Sequence, residues 1–211
     1  MTGPLLEVIS TNPPESTLAP GSDLRRDLPL YRVWQHGQVV EERTDVTSIW
    51  PKDGVAFLLG CSFTFESSLK QHGLLAKESN SVPMYKTRIP NEPSGPFRGN
   101  LVVSMRMFDP LVVPEVVEIT SKHPLAHGEP VAIGFAGQKE LGIEHLDKPD
   151  FGEKPSLFLD ESSSSSSSKV PVFWACGVTP QNAIEQAGTV LKDSIVITHA
   201  PGCMFVTDVL V

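Results

Sequence analysis

A histidine and a cysteine lie four residues apart near the end of the chain, between two apolar runs that are typical of β-strands. They are His199 and Cys203, separated by Ala-Pro-Gly. An imidazole can transfer protons near neutral pH, and His and Cys can together bind a metal ion if Asp208 or His127 completes the set. Three interpretations of His199 therefore stay open: a catalytic or substrate-binding group, a metal ligand, and a structural partner of the backbone.

Two further cysteines follow apolar runs in a similar way. Cys61 comes after the run Val55–Leu59 and before a helical pattern, so its sulfur should lie near unpaired backbone N–H groups that favour a thiolate. Cys176 follows the run 170–175 with the same geometry. A thiolate prepared in this way could act as a nucleophile. The alternative for both residues is a small core side chain, because free cysteine is among the most buried residue types.

Two arginines end β-type runs whose other residues favour burial, namely Arg88 and Arg106. A buried guanidinium needs a carboxylate or phosphate partner. The two arginines are therefore a candidate clamp for a small acidic substrate. The alternative is an internal ion pair with a carboxylate of the chain, such as Asp23 or Asp27.

The composition disfavours several classes of partner. The formal net charge of -8 argues against nucleic acid, because a phosphate backbone requires a basic stripe. No apolar run reaches the roughly 18 to 20 residues of a membrane span, and the N-terminus lacks a secretory signal pattern. Three cysteines without regular short spacing indicate free thiols in a reducing compartment. We expect a cytoplasmic protein that needs neither a cofactor nor a metal. A mitochondrial location is the alternative if a targeting segment is missing, and a homo-oligomer is possible.

The elements that must position these residues are those of a mixed α/β protein (α+β), with two small lobes, mixed sheets and strand-turn-helix units. Residues 1–29 are expected to form an irregular lead-in to the α/β region 30–211. The polar stretch of about 135–169, which contains seven consecutive serines, is expected to be a flexible insertion. Strands are predicted at 31–34, 38–42, 55–59, 82–89, 101–108, 131–133, 170–175, 195–198 and 204–209. Helices are predicted at 63–71 and 110–121 and from Thr179 through Leu191.

Six segments, taken in order, resemble the D-glutamate cyclase family, whose bacterial members are named as hydro-lyases. The segments are APGSDLRRDLPLYRVW (19–34), FLLGCSFTFE (57–66), VPMYKTRIP (82–90), LVVSMR (101–106), VFWACGVTPQ (172–181) and THAPG (198–202). The resemblance implies a two-lobed α/β fold and a lyase that dehydrates D-glutamate to 5-oxo-D-proline by ring closure. Family members usually carry a longer N-terminal part, and commonly have His where this chain has Cys203 and Ala132.

Chemistry assigns roles to residues inside these family motifs. Ring closure needs an anion clamp, a base and an acid. Arg88 and Arg106 would hold the carboxylates, His199 would move protons, and Cys61 or the N–H groups beside it would stabilise the oxyanion. The remaining candidates are Glu66 as an alternative acid, if burial favours its protonated form, and Tyr85 and Thr179 for substrate binding. The rival functions are a hydro-lyase for another hydroxy acid, a non-enzymatic or inactive small-acid-binding protein and a metal-dependent hydrolase.

Overall fold

The computed structural model describes residues 4–75, 82–155, 169–191 and 194–209. Its strands are β1 Leu5–Ile9, β2 Tyr31–Gln35, β3 Gln38–Arg43, β4 Ala56–Leu59, β5 Met84–Pro90, β6 Asn100–Phe108, β7 Ala132–Ile133, β8 Val170–Ala175 and β9 Val196–His199. Its α-helices are α1 Glu66–Gln71, α2 Val113–Ser121, α3 Gly134–Leu141 and α4 Thr179–Ala187. Short 3-10 helices include Ser62–Phe65, Pro110–Val112 and Pro124–Ala126. The predicted α/β class is confirmed.

A four-stranded sheet in the order β5-β6-β8-β7 forms the centre of the molecule, with antiparallel neighbours. Strand β6 is buried along almost its whole length, which explains its nearly continuous apolar sequence. Successive side chains point to opposite faces of a strand. Val103 and Met105 therefore pack with Tyr85, Leu141 and Ile143 on one face.

The other face of this sheet carries Ser104, Arg106 and Phe108 from β6. Phe108 packs with Trp174 of β8 and with apolar residues of α1 and α2. The predicted strand-turn-helix unit is formed here: β4 ends at Leu59, a 3-10 helix follows, and α1 begins at Glu66. This unit brings its polar residues against the Ser104–Arg106 side of the sheet.

A three-stranded antiparallel sheet has the order β3-β2-β9. The predicted hairpin of β2 and β3 turns at His36 and Gly37, both at positive φ. Helix α4 lies between this sheet and the four-stranded one. Ile184 and Ala187 pack against Trp34 of β2, and Thr179 is hydrogen-bonded to the backbone of β6.

Two stretches expected to be irregular contain ordered elements. Strand β1 lies inside the lead-in 1–29 and pairs with β4. Helix α3 lies inside the polar stretch 135–169, because Leu141 and the nearby Ile143 and Leu146 bury their apolar side chains in the core. The seven serines, 162–168, lie outside the described residues.

One predicted strand is absent: the segment 204–209 forms no strand, and Val206 is 84% exposed. The predicted strand at 55–59 is present as β4, but its continuous apolar run, which is typical of a strand buried on both faces, leaves Phe57 61% exposed. The reason is that β4 pairs only with β1, in a two-stranded sheet with an outward face.

Candidate functional site

A buried ion pair joins β6 to α1. Arg106 and Glu66 are each only 6% exposed. The guanidinium Nε donates to the Glu66 carboxylate at 2.9 Å, and Nη2 donates to the same oxygen. Alternation along β6 points Arg106 toward α1, whose first residue is Glu66. The expectation of an internal carboxylate partner is confirmed, but the partner is Glu66, whereas Asp23 binds Arg25.

Two serines and three aromatic rings complete the surroundings of the guanidinium. Its Nη1 and Nη2 donate to the hydroxyls of Ser104 and Ser62, each at 3.3 Å. Its central carbon lies 5.2 to 5.9 Å from ring centres, those of Phe63, Phe65 and Trp174. We call Arg106, Glu66, Ser62 and Ser104 the Arg106 cluster. Four hydrogen bonds use most of the five N–H donors of the guanidinium, so its orientation is fixed.

Cys61 lies directly before the 3-10 helix Ser62–Phe65, beside the cluster. Burial raises the pKa of the Cys61 thiol, although the N–H groups of Phe63 and Ser62 and the charge of Arg106 act in the opposite direction. The N–H groups are therefore where the sequence predicted them, but burial outweighs them and favours the thiol over the thiolate. At neutral pH Cys61 is a thiol, which can donate a weak hydrogen bond.

Cys176, at the end of β8, belongs to the same neighbourhood. Burial raises its pKa to about 12, whereas the charge of Arg106 acts in the opposite direction. It packs with Val82, Met84 and Val102. The core-residue interpretation of Cys176 fits this environment.

A close backbone contact brings a further segment to the site. A Cβ atom added to Gly60 would lie 1.8 Å from the carbonyl oxygen of Leu125, so only glycine allows this approach. Leu125 belongs to the 3-10 helix Pro124–Ala126, and His127 follows it. The contact therefore holds His127 against the turn that leads into Cys61.

His127 is the residue of this site that sequence reasoning missed, since the sequence assigned it no role in the ring closure. Both ring nitrogens are buried, and neither completes a hydrogen bond to another described residue. Burial lowers the pKa of His127 to about 4, and the charge of Arg106 lowers it further, while the Gly60 backbone raises it. The sequence signal is the His-Gly pair that ends a short helix, typical of a left-handed cap. Nothing in that signal indicates the contact with Gly60.

His199 lies in the other sheet. It ends β9, opposite Tyr31 of β2, and its carbonyl accepts a hydrogen bond from Gln181 Nε2 at 3.0 Å. Burial lowers the pKa of His199 to about 4, and the charge that adds to this effect is that of Arg32, not Arg106. Within the described ranges, no three His, Cys, Asp or Glu side chains are grouped as metal ligands, Cys203 and Asp208 included. The proton-transfer role of His199 stays a prediction.

The predicted substrate-binding residues other than Arg106 make structural contacts. Arg88 was expected to be buried, but it is exposed and its Nε donates to the carbonyl of Glu140 at 2.8 Å. The reason is that β5 is an edge strand whose pairing with β6 becomes irregular after Lys86. The structure therefore does not bring Arg88 and Arg106 together as a clamp.

Tyr85 and Thr179 are both buried and hydrogen-bonded within the fold. Tyr85 lies on the face of the sheet opposite Arg106 and donates to the carbonyl of Leu146 at 2.6 Å. Burial raises the pKa of its phenol. The Thr179 hydroxyl accepts from Val102 N–H at 3.0 Å and donates to Val102 C=O at 3.2 Å. Their roles in substrate binding stay predictions.

In the part of the chain that the structure describes, no helix is both long and apolar enough to cross a membrane. The cytoplasmic location stays a prediction.

Comparison with known proteins connects this site to a family. The family model described as D-glutamate cyclase matches residues 55–208. A protein of Rubrobacter xylanophilus named "Putative hydro-lyase" is 50% identical over 209 residues, which are 97% of this chain and 75% of that protein. A protein of Geobacillus kaustophilus that also has a hydro-lyase name is 47% identical to this chain over 97% of its length. Another, from Agrobacterium fabrum, is 44% identical over 98% of this chain.

The chain spans about three quarters of the length of these relatives, 73% to 75% in the three cases. The matched residues 55–208 include β4, α1, β6 and the 3-10 helix before His127, and therefore every element that contributes to the candidate site. The family model alone covers more than half of the chain. The protein belongs to the D-glutamate cyclase family.

Proposed function

We propose that the protein is a lyase that closes D-glutamate, or a closely related small acidic substrate, to 5-oxo-D-proline with loss of water. Family membership and the hydro-lyase names of the relatives support the reaction class. The observation that carries the proposal is the Arg106 cluster beside Cys61. The cluster places an ion pair and two hydroxyl groups next to the Cys61 thiol, inside an otherwise apolar layer.

The reaction requires proton transfer but no redox chemistry. The nitrogen of D-glutamate forms a bond to the carbon of the γ-carboxylate, and one oxygen of that carboxylate leaves. The ammonium loses two protons, which depart with that oxygen as water. The substrate and the product with its carboxylate both carry a single net negative charge, so neither an oxidant nor a reductant is needed.

The residues of the cluster have separate roles in this proposal. The charge of Arg106 favours binding of the substrate carboxylate at the Cys61–Ser62 turn, where the Ser62 hydroxyl lies 3.3 Å from the guanidinium. Glu66 holds the guanidinium in place through the 2.9 Å hydrogen bond from Nε. The protonated thiol of Cys61 donates a hydrogen bond to the oxyanion that develops when the nitrogen attacks.

This assignment changes the clamp that the sequence suggested. Because most donors of Arg106 are already occupied, it acts as a positive charge behind the turn rather than as a free fork for a carboxylate. Arg88 is separated from this charge by its position over the end of α3. A substrate with one carboxylate near the turn and an amine four bonds away can then fold back on itself.

The test is NMR-monitored incubation of the purified chain with D-glutamate, with L-glutamate and a protein-free sample in parallel. We expect the 5-oxoproline signals to grow only with D-glutamate and protein. Arg106→Met combined with Glu66→Leu removes the charge while avoiding an unpaired buried ion, and we expect it to lower the rate by about 100-fold or more. Arg98→Gln, at an exposed arginine, is the matched control. Equal product with and without protein would refute the proposal.

A non-catalytic small-acid-binding protein is the second candidate, favoured by the raised pKa of Cys61 and by the occupied donors of Arg106. Such a protein would be stabilised by D-glutamate without converting it. A higher melting temperature in D-glutamate, together with unchanged substrate signals after prolonged incubation, would select this candidate. The same sample incubated with 2-hydroxy acids tests the hydro-lyase alternative.

A further inference from the structure

We propose that His127 is the group that carries protons from the amine to the leaving oxygen of the acidic substrate. The inference rests on the proposed function, because it assigns a residue to the same site. It assigns to His127 the proton-transfer role that was predicted from the sequence for His199.

The first argument is position. The Pro124–Ala126 helix is fixed on Gly60 by a contact that no other residue at position 60 would allow. Gly60 directly precedes Cys61, and a Cβ at Gly177 would lie 3.7 Å from the Gly60 carbonyl oxygen. The ends of β4 and β8 and the His127 turn therefore meet at one point. His199 lies instead at the end of β9, in the three-stranded sheet.

The second argument is an unfilled hydrogen-bonding capacity. Both nitrogens of the His127 ring are buried, and neither completes a hydrogen bond within the described part of the chain, although the Gly60 backbone lies near enough to raise the pKa of the ring. Buried polar groups are normally paired, and an exception in a folded protein calls for a ligand, a water or a functional role. A neutral imidazole can accept a hydrogen bond from an amine through one ring nitrogen and donate one to a carboxylate oxygen through the other.

The third argument is the backbone. His127 adopts a left-handed conformation with φ of 76°, which residues other than glycine rarely take. It is held there because the N–H groups of Ala126 and Gly128 both bind the carbonyl of His123, at 2.9 and 3.0 Å. Such conformations tend to occur at functional sites, where surrounding structure enforces them. Here the enforced turn directs the imidazole against Gly60.

The charges around the ring decide when it can accept a proton. The groups at this site are Arg106 of β6, Glu66 of α1 and the thiols of Cys61 and Cys176. In the free protein burial and Arg106 hold the pKa of His127 at about 4, so the ring is neutral and available as an acceptor. A bound carboxylate would place a negative charge nearby and raise that pKa. The ring therefore becomes a stronger base when an acidic substrate is present.

The proton balance fits a single imidazole. One ring nitrogen takes a proton from the ammonium, which frees the lone pair that forms the nitrogen–carbon bond. The ring passes this proton to the departing oxygen, and a second transfer by the same route completes the water. The imidazole ends neutral, as it began.

The test compares His127→Asn with His36→Asn. Asparagine tolerates left-handed backbone, and His36 is also left-handed, at φ of 53°, but lies exposed in the β2–β3 turn. With both variants shown to be folded by circular dichroism, we expect His127→Asn to lower kcat for D-glutamate by about 100-fold or more, with KM changed little. We expect His36→Asn to leave both unchanged.

A second readout needs no variant of the catalytic site. Glutarate is a diacid without the amine, so it can bind but cannot close a ring. We expect NMR titration of the histidine rings to show the pKa of His127 rising when glutarate saturates the protein. Both results together support the inference.

Three outcomes would overturn it, and they separate it from the proposed function. Turnover of D-glutamate at an undiminished rate by His127→Asn removes His127 but leaves the cyclase reaction standing. Loss of rate in His199→Asn and not in His127→Asn returns the role to the residue that the sequence suggested. No turnover by the unmodified chain, with no response of His127 to glutarate, refutes both proposals.

Discussion

The two faces of the central sheet are built from the same strands, but one face is apolar and the other contains a buried ion pair. On one face Met105 packs with Tyr85 and Phe173 among apolar side chains from the region of α3. On the other face, one residue along β6, Arg106 binds Glu66 and two serines. An apolar face is stabilised by burial alone, whereas a buried ion pair often adds little stability over apolar residues of similar size. The polar face therefore indicates function, because the fold does not require it.

Breaking the ion pair from one side should have the largest effect on stability. Arg106→Met leaves the buried Glu66 carboxylate facing Lys70, whose Nζ lies 3.9 Å from the other carboxylate oxygen, and we expect a loss of about 3 to 5 kcal/mol in the free energy of unfolding. Adding Glu66→Leu to the same chain should restore most of the loss. Urea denaturation measures both variants.

The comparison between faces supplies the control for this experiment. Met105→Ala should also lose about 2 to 5 kcal/mol, but through a cavity that no second deletion repairs. If the Arg106→Met, Glu66→Leu double variant is as unstable as the single one, the distinction between the two faces is wrong.

Acid should destabilise the protein through His127. The folded pKa of about 4 lies below the usual 6.5, so the unfolded chain binds a proton that the folded chain does not. Stability is therefore fully present above pH 6.5 and falls as the pH decreases toward 4, by up to about 3 kcal/mol for this residue. His199 has a lowered pKa for the same reason and contributes over the same range.

Denaturation at pH 7 and pH 4.5 checks this prediction. In His127→Asn the stability difference between the two pH values should shrink, while in His36→Asn it should not. A difference that stays the same in His127→Asn would show that this imidazole is not buried in its neutral form.

The close contact at Gly60 should be sensitive to a single methyl group. Gly60→Ala would place a carbon 1.8 Å from the Leu125 carbonyl oxygen, so the backbone of one segment must move. We expect a loss of about 1 to 3 kcal/mol and, because the His127 turn moves, a lower rate with D-glutamate. Gly177→Ala, also at a glycine without positive φ, would place its added carbon at an ordinary 3.7 Å from the Gly60 carbonyl oxygen, and serves as the matched control.

Much of the fold followed from sequence patterns, whereas the composition of the site did not. Continuous apolar runs predicted β6 and β8, and a buried arginine predicted a carboxylate partner. The identity of that partner was not predictable, because Glu66 lies 40 positions before Arg106 and only the packing of α1 brings it there. His127 was missed for the same reason, since its importance comes from a contact with Gly60.

Apolar residues hidden in polar stretches account for the errors in the fold. The stretch 135–169 was expected to be flexible because its composition is polar. Leu141, Ile143 and Leu146 are sufficient to fix α3 and the following turn on the face of the sheet that carries Tyr85. Composition averages over such a stretch, whereas burial depends on a few side chains at the correct spacing.

The smallest effect should come from Arg88, whose role in the clamp remains a prediction. Its side chain is exposed and bonds the carbonyl of Glu140, so Arg88→Gln should change the free energy of unfolding by no more than about 0.5 kcal/mol. Thr179→Val, by contrast, leaves the buried N–H of Val102 without its partner and should lose about 1 to 3 kcal/mol. The KM for D-glutamate decides the remaining role of Arg88. A tenfold rise of this KM in Arg88→Gln would mean that the substrate contacts the open side of β5. Function would then not be confined to the face of the sheet that carries Arg106.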